Sequence, residues 1–157
     1  MRMRIITFIM FPLWLSCMSA QVVSAQASKT GVPASLEYKA GQRWSYKTRA
    51  GEEGSFLIIL KVENDPKLGT IVHIALDGLK VKNRRSPDGL IERADHLPFA
   101  KGAIDKSVLK LLKENVDLPD FEEGYQMWRE AFDANRAGIY TITVAEAVGV
   151  MEATLNQ

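Results

Sequence analysis

Two histidines are the side chains of this sequence best suited to proton transfer, because imidazole changes charge near neutral pH. His96 follows a segment that contains Glu92 and Asp95. A small hydrolase or lyase would use His96 as its base, with Asp95 or Glu92 as the acidic partner. Neighbouring side chains diverge in an extended chain, so the spacing alone does not pair Asp95 with His96. The alternative is a structural loop in which His96 bonds to a main-chain carbonyl.

His73 lies at the centre of a predicted strand, in the run Thr-Ile-Val-His-Ile-Ala-Leu. A lone histidine there is more typical of packing than of catalysis, since a base also needs a partner and a cleft. Neither histidine belongs to a spacing that binds metal ions, so no metal site is predicted. The glycines are scattered among turns and form no phosphate-binding loop, so no cofactor is expected.

A local excess of positive charge falls on one predicted strand and the turn after it, with further cations on an earlier strand. We call these residues the basic strip: Lys80, Lys82, Arg84, Arg85, Arg43 and Lys47. Strand pairing would bring them onto one face, which would dock to an acidic protein or to an anionic envelope component. A solvated face of the sheet is the commoner explanation for such a pattern.

The N-terminus has the three parts of a secretory signal peptide: Arg2 and Arg4, an apolar run over residues 5–15, and small residues up to Ala25. We predict a signal peptide over residues 1–25. The positions at which cleavage is expected are Ala25 first, with Ala20 and Ala27 as alternatives. The mature protein would be exported to the periplasm or secreted.

A retained anchor is a weaker interpretation, because crossing a bilayer takes about 20 apolar residues and the apolar run is interrupted by Pro12. Lipid attachment at Cys17 is also less favoured, since bulky residues precede that cysteine. Residues 26–36 are expected to be a flexible leader and residues 37–157 a single domain.

Composition limits the possible functions. Removing 25 of the 157 residues takes away two of the 20 basic side chains and no acid, leaving 18 basic and 19 acidic side chains among 132 residues. That balance argues against a nucleic-acid binder. The chain's one cysteine lies in the predicted signal, so the mature domain would have neither a disulfide nor a thiolate.

Hydrophobic periodicity predicts strands in the first half of the domain and helices in the second. The predicted strands cover residues 41–49, 55–63, 70–76 and 79–84, with a hairpin at Asp77-Gly78. Residues 90–99 are ambiguous between extended and irregular chain. Helices are predicted over residues 101–115, from a capping box at Asp120, and from a second capping box at Thr143, with a short strand over residues 139–142.

These elements predict an α+β domain in which an antiparallel sheet of about four to five strands carries two to three helices on one face. A small curled barrel with appended helices is the alternative. The stripe of Phe121, Tyr125, Trp128 and Phe132 is expected to pack against the sheet, joined by Trp44 and Tyr46.

The sequence therefore favours a small exported binding or inhibitory protein of the cell envelope, whose partner is a protein or an anionic component. A hydrolase or lyase using His96 is the first alternative. A structural component of an envelope assembly is the second, and it would need an exposed apolar patch that the sequence does not indicate.

Overall fold

A computed structural model of the protein describes residues 36–157 apart from residue 86. The predicted signal peptide, its cleavage sites and Cys17 lie outside the described residues, as does the leader except for Leu36. The described chain forms, in order, β1 (Arg43–Tyr46), β2 (Phe56–Asp65), β3 (Gly69–Lys82), β4 (Leu90–Ala100), α1 (Lys101–Ser107), β5 (Val108–Lys113), α2 (Glu122–Asp133) and α3 (Val144–Leu155).

The five strands form one antiparallel sheet in the order β4-β3-β2-β1-β5. Strands β1 to β4 pair in the order in which they occur in the chain. Helix α1 then connects β4 to β5, which pairs with β1 at the other edge of the sheet. The predicted α+β class, its strand number and its helices in the C-terminal half are confirmed.

One face of the sheet carries the larger hydrophobic core, which we call the apolar face. Residues from four strands and from α1 and α3 contribute to it, among them Leu57, Ile74, Phe99, Ile104 and Val148. All five are at most 1% exposed. Burial of this much aliphatic and aromatic surface is the main source of the domain's stability.

Helix α2 packs on the opposite face, which we call the α2 face, so the prediction that the helices share one face is wrong for α2. Tyr125 and Trp128 contact Ile71 of β3 there, with Phe121 and Phe132 at the margin. The aromatic stripe therefore packs on the sheet as predicted. The prediction that Trp44 and Tyr46 pack with this stripe is wrong, because those two side chains belong to the apolar face.

Strand β3 runs through the predicted hairpin at Asp77-Gly78 without turning. The pairing with β4 shifts between Asp77 and Val81, so the glycine belongs to an irregular stretch of a continuous strand. Gly78 has a φ of +75°, and a β-carbon there would lie 3.2 Å from the Ser55 backbone. Glycine is thus needed for conformation and close approach, which are the same properties that favour it in turns.

The predicted helix over residues 101–115 is wrong beyond Ser107, where the chain becomes β5. Register shifts on β5 put Val108 opposite Tyr46 and Leu111 opposite Trp44, three residues apart rather than two. Both side chains pack against the apolar face. Bulges thus give this edge strand an inward spacing that imitates a helix.

The helix ends are partly as predicted. Thr143 and Glu146 form a capping box at α3. The predicted cap at Asp120 is wrong, because Phe121 precedes α2 without a side-chain cap. Asn135, after the end of α2, has a positive φ. No helix in the described part of the chain is long and apolar enough to cross a membrane.

Candidate functional site

Two β-bulges bring polar side chains together on the α2 face. Between two successive residue pairs, β2 advances by two residues, from Ile59 to Lys61, whereas β3 moves by one, from Ile74 to His73. Leu60 is therefore an extra residue on β2 and forms a bulge. The alternation of β2 reverses there, and Glu63 falls on the α2 face. On β4, Asp95 and His96 together oppose a single residue of β3. Bulges are common beside functional sites because they redirect a side chain.

His73 and His96 meet between these bulges. The Nδ1 atom of His73 lies 2.9 Å from Nε2 of His96, which is hydrogen-bond distance. The two rings are stacked, with centroids 5.1 Å apart, and the rings of Tyr125 and Trp128 surround them. His73 is fully buried, whereas His96 is partly exposed.

Glu63 lies on the far side of His73. Its Oε1 atom is 3.3 Å from His73 Nε2, a close contact that does not meet hydrogen-bond geometry. The Tyr125 hydroxyl donates to Glu63 Oε2 at 3.0 Å, and Arg129 donates to Oε1 at 3.1 Å. We call Glu63, His73, His96, Tyr125 and Arg129 the histidine cluster.

The neighbours of His73 determine where its proton resides. A carboxylate only accepts, so we assign the His73 proton to Nε2, facing Glu63. Nδ1 of His73 then carries a lone pair and accepts the Nε2 proton of His96. This assignment leaves Nδ1 of His96 as an acceptor, and it receives no hydrogen bond from the described residues.

Burial keeps both imidazoles neutral. Burial, with a smaller contribution from the neighbouring His73, lowers the pKa of His96 to about 4. The pKa of His73 is also lowered by burial, which outweighs the opposing effect of Glu63. Burial would raise the pKa of Glu63, but its hydrogen bond from Tyr125 and the nearby His73 and Lys61 bring it below its ordinary value. At neutral pH the cluster is a carboxylate beside two neutral rings.

Two clefts open on either side of His96, and both include Gly124 of α2. The first, which we call the uncharged cleft, has a volume of about 470 Å³ and no ionised side chain in its wall. Its residues are His96, Leu97, Pro98, Gly124, Trp128, Gly138, Ile139 and Tyr140. The second, the charged cleft, measures about 720 Å³ and includes Arg93, Asp95, Asp120 and Glu123.

The walls of the uncharged cleft are held by specific contacts. Trp128 Nε1 donates to the Gly138 carbonyl at 2.9 Å, and Tyr140 exchanges backbone hydrogen bonds with Pro98 and Ala100. The pair formed by Tyr140 and Phe99 is an isolated bridge, so the strand predicted over residues 139–142 is wrong. A β-carbon at Gly124 would lie 3.1 Å from His96 Cβ, so α2 approaches β4 closely there.

The predicted acidic partners of His96 lie elsewhere. Asp95 shares the charged cleft with His96 and is largely exposed, with its nearest ion-pair partner, Arg93, 3.9 Å away. Glu92 precedes His96 on β4 and lies in a separate depression with Asp88. His96 bonds instead to His73, and through it contacts Glu63, which the sequence did not single out.

The signal that was missed is the distance of each histidine from the turn at residues 83–89. His73 and His96 are at similar distances from this turn, so a single hairpin brings them together on adjacent strands. The hairpin predicted at Asp77-Gly78 divided β3 into two strands, so in the predicted sheet an extra strand lay between His73 and His96. No local pattern indicated the bulge that places Glu63 beside them.

The basic strip is only partly assembled. Lys80 and Lys82 are exposed at the end of β3, and Arg84 and Arg85 are exposed in the following turn. Arg43 lies on β1, with β2 between it and β3, and its guanidinium stacks 3.4 Å above the Phe56 ring. Lys47 is exposed after the end of β1. The strip is therefore a patch of four cations with two outlying members.

In the described part of the chain, no three side chains of His, Cys, Asp or Glu are close enough together to hold a metal ion. The histidine cluster is instead arranged to accept a hydrogen bond or a proton at Nδ1 of His96. The chain matches no protein-family model, no curated protein and no solved structure.

Proposed function

We propose that this protein is a small exported binding protein, and that its ligand occupies the uncharged cleft beside His96. One observation carries the proposal: the chain from Glu63 through His73 to His96 leaves an acceptor nitrogen on a residue that lines an open cleft. A polar acceptor that converges with apolar walls is typical of small-molecule sites. Export is inferred from the N-terminal sequence pattern.

Binding is favoured over proton-transfer catalysis by the strength of the base. A general base works best when its pKa is near the working pH, whereas that of His96 is about 4. Protonating it at pH 7 costs about 4 kcal/mol, at roughly 1.4 kcal/mol per pH unit. The pKa of His73 is lowered too, so passing the proton inward does not recover this cost. A neutral hydrogen-bond acceptor is the better use of this arrangement.

The proposal is tested by two-dimensional NMR of residues 26–157 with a fragment library. We expect some fragments to shift the amide signals of residues 96, 97, 124–128 and 138–140, and a His96→Phe substitution to abolish those shifts. His96→Gln, which keeps an acceptor, should retain part of the affinity. Lys47→Ser, at an exposed position after β1, is the control and should bind as the wild type does.

The same samples separate binding from catalysis. Mass spectrometry of bound fragments after prolonged incubation should recover them unchanged. Conversion of a fragment into product by the wild type but not by His96→Gln would favour the hydrolase or lyase instead. Absence of any fragment bound at the cleft would contradict both functions.

Export is tested by the mass of the protein recovered from a cell-envelope fraction. A chain beginning at Gln26 is expected. A mass that includes residues 1–25, or a lipid on Cys17, would contradict release as a mature protein.

A second candidate function is docking to an anionic envelope component. It is favoured by the four exposed cations Lys80, Lys82, Arg84 and Arg85 at one end of β3. Such docking weakens with added salt, because surface charges are screened. Vesicles containing phosphatidylglycerol should retain the wild type at low salt and lose a variant with all four cations changed to Ser. Equal retention by vesicles of phosphatidylcholine would contradict this candidate.

A further inference from the structure

We infer that the ligand of the uncharged cleft is a small planar ring compound without net charge that carries an N–H or O–H donor. This inference rests on the proposed function and names the class of ligand that the site would take. It follows from the walls of the cleft, from its aromatic side chains and from the acceptor on His96.

The walls argue against an ionised ligand. None of the eight residues around the cleft carries an ionised side chain, since His96 is neutral at pH 7. An ionised ligand would find no ion-pair partner in these walls, and a charge without a partner becomes less favourable as it loses contact with water. The charged cleft on the other side of His96 contrasts with this, because Arg93, Asp95, Asp120 and Glu123 all contribute to it. A cation would therefore favour the charged cleft, where three carboxylates outnumber one guanidinium.

Aromatic and glycine residues favour a flat ligand. Trp128 and Tyr140 line the cleft, with the Tyr140 ring packed against Phe99, and aromatic rings stack or meet edge to face with other planar rings. Gly138 adds no side chain, and a β-carbon there would meet nothing within 4 Å, so the backbone is accessible beside Trp128. The volume of about 470 Å³ lies in the range typical of small-molecule pockets.

The polar groups of the cleft call for a donor. Nδ1 of His96 is an acceptor because Nε2 of that ring donates to His73, and the Trp128 indole N–H already donates to the Gly138 carbonyl. A ring compound whose N–H or O–H donates to Nδ1 satisfies both its own donor and that nitrogen. One that lacks a donor leaves the nitrogen unpaired, which costs affinity.

Matched probes test each property on the unaltered mature protein, so no variant has to fold. The pairs are phenol with anisole and indole with 1-methylindole, in which a methyl group replaces the donor hydrogen. Benzoate and benzylammonium add a negative or a positive charge to a similar ring. NMR titration should show phenol and indole shifting the amide signals of residues 96, 97, 124–128 and 138–140, with at least a several-fold weaker effect from each methylated partner.

The possible outcomes separate this inference from the proposed function. Equal affinity for a donor and its methylated partner, or stronger binding of benzoate or benzylammonium in the same cleft, would overturn the ligand class and leave the binding function in place. Failure of all six probes would overturn the ligand class, while the fragment library would still decide whether the cleft binds anything. Loss of phenol binding in His96→Phe, with retention in Lys47→Ser, would support both.

Discussion

The apolar face of the sheet and the α2 face are built from the same strands but buried in different ways. Among the described residues, sixteen buried hydrophobic side chains form the core of the apolar face, whereas only Ile71, Tyr125 and Trp128 do so under α2. The rest of the contact under α2 consists of partly buried apolar side chains at its margin, hydrogen bonds, ion pairs and imidazole rings. The apolar face therefore supplies stability, and the α2 face supplies the polar groups that a ligand would meet.

Each face also contains one tryptophan in the described part of the chain, Trp44 on the apolar face and Trp128 on α2. Trp44→Phe and Trp128→Phe variants of residues 26–157 therefore give a fluorescence probe for each face separately.

The largest effect should come from emptying the apolar face. Phe99 is fully buried, and Phe99→Ala should lower the free energy of unfolding by about 3–5 kcal/mol because it removes apolar contacts and leaves a cavity. Urea unfolding followed at both tryptophans measures this. Leu109→Ala is the control, since Leu109 is 61% exposed, and it should change stability by less than about 0.5 kcal/mol. Similar losses from both variants would contradict the distinction.

Acid should act on the α2 face first. The folded pKa of His96, about 4, is below its ordinary value of 6.5, so the unfolded chain binds more protons between those pH values. The stabilisation is complete above pH 6.5 and is lost as the pH falls toward 4, by up to about 3 kcal/mol. The lowered pKa of His73 acts in the same direction.

The check is an acid titration of the two single-tryptophan proteins. Emission from Trp128 should change at a higher pH than emission from Trp44. The charged and titratable groups around the histidines are Lys61 and Glu63 on β2, Arg93 and Asp95 on β4, Asp120 before α2, and Glu123, Tyr125 and Arg129 on α2. Glu63, whose pKa is lowered, loses its contribution only below its ordinary value of 4.5, so His96→Gln should reduce the loss between pH 6.5 and 4.5. Coincident changes at both tryptophans would contradict the separation.

Removing one charge from the histidine cluster should have a smaller effect. Glu63→Gln keeps the shape of the side chain but leaves Arg129 and His73 without the carboxylate they face. We expect a loss of about 1–3 kcal/mol, the usual cost of leaving polar groups imperfectly paired. Glu130→Gln on the exposed side of α2 is the matched control. An unchanged free energy of unfolding for Glu63→Gln would show that the cluster adds no stability.

The smallest loss of stability should come from a substitution on the apolar face. Thr143→Ala removes the capping box of α3, and loss of such a cap typically costs about 1 kcal/mol. Because α3 packs on the apolar face, phenol binding beside His96 should not change. A weaker affinity for phenol would show that the two faces are coupled.

α2 and α3 were predicted close to their observed positions because their apolar residues recur at the spacing of a helix. The bounds of β2 were also predicted closely, from its high content of apolar residues, but the bulge at Leu60 was not. The errors fall where a bulge changes that spacing: β3 was divided at Gly78, and β5 was taken for helix. His96 was selected from its residue type and surroundings, but its partner His73 was interpreted as packing.

The sequence by itself determined the α+β class and the choice of His96 as a candidate site residue, because these depend on local periodicity and on residue type. Only the tertiary structure decided that His96 bonds to His73 rather than to Asp95, and that Glu63 lies behind them. The physical reason is the pair of bulges at Leu60 and at Asp95 and His96, each of which reverses the alternation of its strand. A one-residue shift in pairing moves every later side chain to the other face, and no local sequence pattern announced these shifts.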